Sequence, residues 1–192
     1  MKFAAKQCPP NIGTEAFQND FDGFFSQLIN FLTNDLPISF LYERDLAAQQ
    51  LYRDLCTADS SLIFNQTLIH CRETDIIESS FNWSGIFNKY YRESHYYSNL
   101  PVVKCHFMNL AVPEASDNGF SLHDIDEVEN LILQLLSNPL SVNDILLQMQ
   151  SYFEEEVLLH HYDLYQNLIL TSIKQLALKK AIQPFTMILK EE

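Results

Sequence analysis

The stretch "FDGFFSQLINFLTNDLPISFLYERDLAAQ", residues 21–49, holds the strongest local signals for the fold. In its first half phenylalanine and leucine recur at helical spacing, which predicts a helix over 14–32 with Thr14 as its cap. Pro37 cannot continue a helix, so the apolar run at 38–42 is interpreted as a short strand.

An acidic corner, Glu43-Arg44-Asp45, follows this run and is predicted to open a second helix that ends near Cys56. Carboxylates in the first turn of a helix interact favourably with its dipole, which gives Glu43 and Asp45 a structural role. The alternative is a catalytic pair of carboxylates. The pattern favours the structural role.

Two more stretches, 61–71 and 100–112, are rich in β-branched and aromatic residues and are predicted as strands. The short polar segment "PEASDNG", 113–119, is the predicted boundary between two subdomains. The sequence therefore predicts a predominantly helical α+β fold. Helices and a small sheet occupy 1–112, and a winged-helix-like helical subdomain occupies 120–192.

Three helices are predicted after the boundary. Ser121 with Asp124, and Ser141 with Asp144, are typical of caps at helix N-termini. "IQPFTMIL" reads as a terminal strand, and Pro184 restricts that strand to the edge of a sheet. The third and longest helix has an apolar face formed by Tyr165, Leu168, Ile169, Ile173 and Leu176.

Aromatic residues are concentrated between 81 and 97. One interpretation is that their rings complete a core beneath an irregular connection. The other is a docking surface for a protein partner, because Trp and Tyr dominate the energetics of interfaces. The candidate residues of that partner surface are Trp83, Tyr90, Tyr91, Tyr96 and Tyr97.

The chain has a formal net charge of −13, and its charges are unevenly distributed. Between Lys104 and Lys174 there are 11 acidic residues and no lysine or arginine. Because phosphate groups are bound by Lys and Arg, this half of the chain is expected to repel nucleic acid and anionic lipid, although winged helices usually bind DNA. The same surface, 105–173, would attract a basic protein.

The sequence has no motif for a nucleotide, a cofactor or a catalytic nucleophile, since its four glycines are too far apart for a phosphate-binding loop. His70-Cys71 and Cys105-His106 could supply four zinc ligands, but adjacent residues on a strand point to opposite faces. No catalytic, cofactor-binding or metal-binding residue is therefore predicted.

The location of the protein is expected to be cytoplasmic. The first residues, "MKFAAKQCPPN", lack the pattern of a signal peptide. No apolar run approaches the roughly 20 residues that a membrane-spanning helix needs, so no membrane association is expected.

The stretches "FDGFFSQLINFLTNDLPISFLYERDLA", 21–47, and "SSLIFNQTLIHC", 60–71, resemble the regulatory domain of a family of bacterial S-adenosylmethionine-dependent methyltransferases. Glu43 and Asp45 match the Glu-Ala-Asp-Leu corner of that family, with Arg44 in place of its small residue.

The family's Phe-Arg-Gln-Thr-Leu-Leu strand is matched by Phe64, Gln66 and Thr67, with Asn65 in place of the arginine. The C-terminal part of the chain, 131–185, is similar to the family's closing winged-helix-like segment. The resemblance implies that these motif residues are structural.

The resemblance also implies a non-catalytic domain that acts through protein–protein contacts. Its partner would be a methyltransferase catalytic domain, another subunit or a protein substrate. The family's Rossmann-like catalytic domain normally precedes this region and is not among these 192 residues. The chain is thus expected to be either part of a longer protein or an accessory domain with its own gene. The alternative is a stand-alone acidic adaptor or inhibitor that binds a basic protein.

Overall fold

A computed structural model of the chain describes residues 15–32, 36–58, 60–80, 83, 106–115 and 119–185. These residues adopt a mostly helical α+β fold with two small antiparallel sheets, which confirms the predicted fold class. None of the described helices combines the length and the apolar character that crossing a bilayer requires.

The elements follow one another along the chain with helices and strands interspersed. In chain order they are α1 (Glu15–Leu32), α2 (Ile38–Thr57), α3 (Ser60–Phe64), β1 (Thr67–His70), β2 (Asp75–Ser79), β3 (Phe107–Pro113), β4 (Phe120–Ile125), α4 (Glu127–Leu135), β5 (Leu140–Ser141), α5 (Val142–Met149), α6 (Glu155–His160), α7 (Tyr162–Leu178) and β6 (Ile182–Pro184).

The described residues pack into two compact units. One, the helical unit, is formed by 42–72 and 127–185, and the other, the sheet unit, is formed by 15–41 and 73–126. Of the predicted boundary segment 113–119, residues 113–115 and 119 are described, at the end of β3 and directly before β4.

The sheet unit is an antiparallel sheet of order β2-β3-β4 against which α1 packs. The central strand β3 is buried at all seven positions, from Phe107 to Pro113. Where β2 pairs with β3, Asp75 lies opposite Ala111, and where β4 pairs with β3, Ile125 lies opposite Met108. Strand β3 was predicted from the sequence, whereas its partner strands β2 and β4 were not.

The core of the sheet unit confirms the predicted register of α1. Phe24, Leu28 and Phe31 are spaced by four and then three residues and are all buried, as expected for one face of a helix. They form one cluster with side chains from the sheet and from the residues that follow it, namely Ile77, Trp83, Ala111 and Leu122. Leu32, which was predicted on the same face, is exposed, and Thr14 lies outside the described residues.

The helical unit is assembled from segments that are far apart in the sequence. Its sheet has the order β5-β1-β6, with Thr67 opposite Ser141 and His70 opposite Ile182. The edge position of β6 confirms the interpretation of Pro184. Helices α4 and α5 pack against each other, and α4 also packs against α7.

The prediction of a strand at 38–42 was wrong, because α2 begins at Ile38. The amide of Leu41 donates to the carbonyl of Pro37 at 3.2 Å, so the proline stands where a helix starts and needs no N–H of its own. Glu43 and Asp45 therefore lie beyond the first turn, which contains no acidic residue. The expected interaction with the helix dipole does not explain them.

The cap predicted at Ser121 was also wrong, whereas the cap at Ser141 is confirmed. Ser121 lies in β4, and the following helix begins at Glu127. The Ser141 hydroxyl accepts the Asp144 amide at 3.1 Å, as an N-cap does. The apolar face of α5, formed by Val142, Ile145, Leu146 and Met149, is buried as predicted.

The remaining predicted strands are shorter in the structure than in the sequence analysis. The stretch 61–71 divides into the short helix α3 and strand β1. In the stretch 100–112 the described strand starts at Phe107, and residues 100–105 lie outside the described residues.

Candidate interaction surface

Trp83 belongs to the core and does not present its ring to a partner. Its side chain is buried and stacks on Phe24, with ring centroids 5.7 Å apart. Its indole Nε1 donates to Asp20 Oδ2 at 2.9 Å, and Asp20 Oδ1 accepts the Ser80 amide at 2.8 Å. The other candidates, Tyr90, Tyr91, Tyr96 and Tyr97, lie outside the described residues.

The acidic corner separates into one exposed and one ion-paired carboxylate. Glu43 is exposed. Asp45 Oδ1 accepts two hydrogen bonds from the buried side chain of Arg44, at 3.1 Å from Nε and 2.6 Å from Nη2. Asp45 Oδ2 accepts from Lys180 Nζ at 2.8 Å, which ties α2 to the residue after α7. The geometry assigns Asp45 a structural role.

The matched residues of the second motif support strand pairing through their backbone. The carbonyl of Gln66 accepts the amide of Val142 at 3.0 Å, and the carbonyl of Thr67 accepts the amide of Phe185 at 2.9 Å. Phe64 is half-buried at the end of α3. These contacts hold the central strand of the helical unit.

Helix α7 has exposed apolar side chains in addition to its buried face. The buried face is formed by Tyr165, Ile169, Ser172, Ile173, Leu176 and Ala177. Beside that face we define the outer stripe, spaced by four, three, four and three residues, as Leu164, Leu168, Thr171, Gln175 and Leu178.

The leucines of the outer stripe are exposed, with 66% of Leu164, 42% of Leu168 and 54% of Leu178 accessible to solvent. Leu168 was predicted on the buried face, because Leu168 and Ile169 are adjacent and apolar periodicity alone does not separate them. A helix with exposed apolar side chains beside its buried face normally has a second surface to bury. The outer stripe is therefore the candidate interaction surface.

Acidic residues lie in the first turns of two consecutive helices, α6 and α7. Glu155 and Glu156 are in the first turn of α6, Asp163 is in the first turn of α7, and all three are exposed. Carboxylates at helix N-termini are favourable in themselves. Asp163 directly precedes the exposed Leu164, and a negative charge beside an apolar side chain suits a basic, amphipathic segment.

Tyr165 holds α7 in place beneath the outer stripe. Its hydroxyl donates to the carbonyl of Leu146, in α5. Its ring packs edge-to-face against Phe153 at 5.0 Å and lies 5.7 Å from the ring of Tyr162. Burial, followed by the nearby Tyr162 phenol, raises the pKa of Tyr165 to about 12.

This raised pKa predicts a stability change in alkaline solution. An unfolded tyrosine ionises near pH 10, so the stabilisation is complete below about pH 10 and is lost as the pH rises towards about 12. We expect the free energy of unfolding to fall more steeply across this window in the wild type than in Tyr165→Phe. Urea denaturation at several pH values measures the difference.

Tyr42→Phe is the matched control for this experiment, because Tyr42 lies in the helical unit, is exposed and does not contribute to the raised pKa of Tyr165. It should follow the wild-type pH dependence closely. If the free energy of unfolding falls equally with pH in the wild type and in Tyr165→Phe, the Tyr165 phenol ionises in the folded protein as it does in the unfolded chain.

A serine, a histidine and a glutamate meet on the β3–β4 hairpin, which the sequence analysis did not anticipate. The Ser121 hydroxyl donates to Glu114 Oε1 at 2.8 Å and lies 3.0 Å from His123 Nε2. Ser121 and His123 are two residues apart on one strand, so both side chains lie on the same face of β4, next to Glu114. The i, i+2 spacing of Ser121 and His123 would have revealed the pair, had β4 been recognised.

The described part of the chain contains no group of three or more His, Cys, Asp or Glu side chains arranged to hold a metal ion. Cys71 is buried and forms no disulfide with another described residue, while Cys105 lies outside the described residues. Comparisons of the chain with protein-family models, with curated proteins and with solved structures gave no match.

Proposed function

We propose that this chain is a non-catalytic accessory domain of a bacterial, cytoplasmic S-adenosylmethionine-dependent methyltransferase. In this proposal the outer stripe of α7 binds the methyltransferase catalytic domain, another subunit or a protein substrate. The resemblance of 21–47 and 60–71 to the regulatory domain supports the methyltransferase part. The observation that carries the binding role is the exposed leucine stripe on a helix whose other face is already buried.

The chemistry of the surface specifies the kind of partner segment. Leu164, Leu168 and Leu178 extend over 15 residues, or about 21 Å of helix. This length suits an amphipathic helix that lays its apolar face along the stripe. Basic residues of that helix would face Glu155, Glu156 and Asp163, and the same carboxylates oppose the approach of nucleic acid.

The acidic residues also favour a second function, that of an independent acidic adaptor or inhibitor of a basic protein. In that case association would depend mainly on charge and would weaken steeply as salt is added. Binding to a methyltransferase subunit through the leucines would persist at higher salt. Titrations at low and high ionic strength therefore distinguish the two functions.

The first function predicts which substitutions abolish binding. The full chain is used to capture partners, captured proteins are identified by mass spectrometry, and a purified methyltransferase partner is then titrated directly. We expect the double variant Leu164→Ser, Leu168→Ser to weaken binding by at least about tenfold, because buried apolar anchors dominate interfaces. Leu147→Ser, which alters an equally exposed leucine on α5, should leave the affinity unchanged.

Two results would contradict the proposal. One is that Leu147→Ser weakens the complex as much as the double variant, which would show a general effect on the fold. The other is micromolar binding of S-adenosylmethionine to the isolated chain in a calorimeter, which would assign it a cofactor site of its own.

A further inference from the structure

A groove of about 380 Å³ lies between α2 and the C-terminal end of α7 in the helical unit. Its volume falls within the range of small-molecule sites. Apolar side chains from both helices line part of it, and polar side chains line the rest. The lining includes Ala48, Ala177, Leu178, Tyr52, Arg53 and Lys180.

The groove is positively charged in a strongly acidic protein. The described part of the chain has six basic residues, and two of them, Arg53 and Lys180, line this one groove. Arg53 Nη2 donates to Gln50 Oε1 at 2.9 Å, which orients an exposed guanidinium and leaves further N–H groups for a ligand. A guanidinium fits a carboxylate with two parallel hydrogen bonds.

Lys180 is held in an unusual backbone conformation at the edge of the groove. Its φ is 60°, a left-handed value that favours glycine at the residue after a helix. The amide of Ala181 donates to the carbonyl of Leu176 at 2.9 Å. This hydrogen bond belongs to a helix C-terminal motif in which the left-handed position, here Lys180, is usually glycine. A lysine in this position keeps an ammonium group beside the groove, anchored on Asp45 at 2.8 Å.

Tyr52 adds a neutral hydrogen-bonding group to the same groove. A hydrogen bond with Cys56, one turn further along α2, and the charge of that thiol when ionised raise the pKa of Tyr52 above its ordinary value. The single phenol proton is thus directed to the Cys56 sulfur, so Tyr52 contributes polar surface to the groove and no further donor.

We propose that this groove binds an aliphatic monocarboxylate, with its chain on the apolar side chains and its carboxylate on Arg53. The site combines an apolar lining with the exposed guanidinium of Arg53 and with a second cation, Lys180, that Asp45 partly neutralises. A single negative charge on an apolar chain matches that set.

The test is an NMR titration of the full-length chain with octanoate, with octanol and octylamine as probes of matched chain length. We expect octanoate to shift the amide signals of Ala48 and Ala177 saturably, with a dissociation constant below about 1 mM. Octanol and octylamine should bind at least about tenfold more weakly, since they lack the carboxylate.

Variants separate the groove from the overall charge. Arg53→Gln should weaken octanoate binding by about tenfold, and Leu178→Asp, which places a negative charge in the groove, should abolish it. Arg72→Gln removes the same charge from an exposed residue that does not line the groove, and it should bind like the wild type. Equal binding of octanol and octanoate, or equal effects of Arg53→Gln and Arg72→Gln, would overturn the proposal.

Discussion

Replacing Phe24 with alanine is expected to lower the free energy of unfolding by about 3–5 kcal/mol, the cost of deleting a buried phenylalanine. Phe24 is 1% exposed and lies in the cluster that joins α1 to the sheet. The shortened side chain would leave a cavity beside Leu28 and the ring of Trp83. Urea denaturation followed by fluorescence measures the change, because Trp83 is the only tryptophan of the chain and lies in this core.

Phe25→Ala is the matched control, since it removes the same side chain from the next residue of α1. Phe25 is 38% exposed and stacks on Phe21 with ring centroids 5.3 Å apart. Its loss should cost about 1 kcal/mol, the usual contribution of such an aromatic pair. If Phe24→Ala unfolds at the same urea concentration as the parent, the buried face of α1 has been assigned wrongly.

Replacing Asp45 with alanine is expected to cost about 3 kcal/mol, the lower end of the range for breaking a buried ion pair. The substitution takes a carboxylate from Arg44, whose side chain is 0% exposed, and from Lys180. Asp45 and Lys180 are partly exposed, so solvent screens the attraction between them and reduces its contribution to the free energy of unfolding. Thermal unfolding followed by circular dichroism compares the variant with the wild type.

Glu43→Ala is the control for Asp45, because it removes an exposed carboxylate from the same helix two residues earlier. It should change the stability by no more than about 0.5 kcal/mol, as exposed substitutions usually do. Equal effects of the two substitutions would show that Asp45 contributes only as a general negative charge. Asp45→Asn keeps the shape of the side chain and removes its charge, so it tests whether Arg44 needs a negatively charged partner.

Elements with complete local signals were predictable from the sequence. The helix α1 has an uninterrupted apolar period, and α5 has both a cap at Ser141 and a regular apolar face. The edge strand β6 was found because Pro184 has no N–H to give to a second neighbour. In each case the residues that determine the element lie within it or directly beside it.

The candidate interaction surface was only partly predictable. Periodicity identified α7 as amphipathic, and composition identified the acidic interval that contains Glu155, Glu156 and Asp163. Leu168 and Ile169 are adjacent and both apolar, and the contacts of α7 with the rest of the helical unit determine which of them is buried. The aromatic segment drew attention to Trp83, but only the packing of Phe24 against that ring assigns it to the core.

The sequence by itself determined the α+β class, the helices with continuous apolar faces and the acidic character of the 105–173 interval. Only the tertiary structure decided that Asp45 is ion-paired, because its partner Lys180 lies 135 residues away along the chain. The tertiary structure likewise decided that Ser121 belongs to a strand, since Val112 on β3 pairs with it across the hairpin. A short polar and apolar pattern is compatible with helix or strand, and contacts with distant segments select between them.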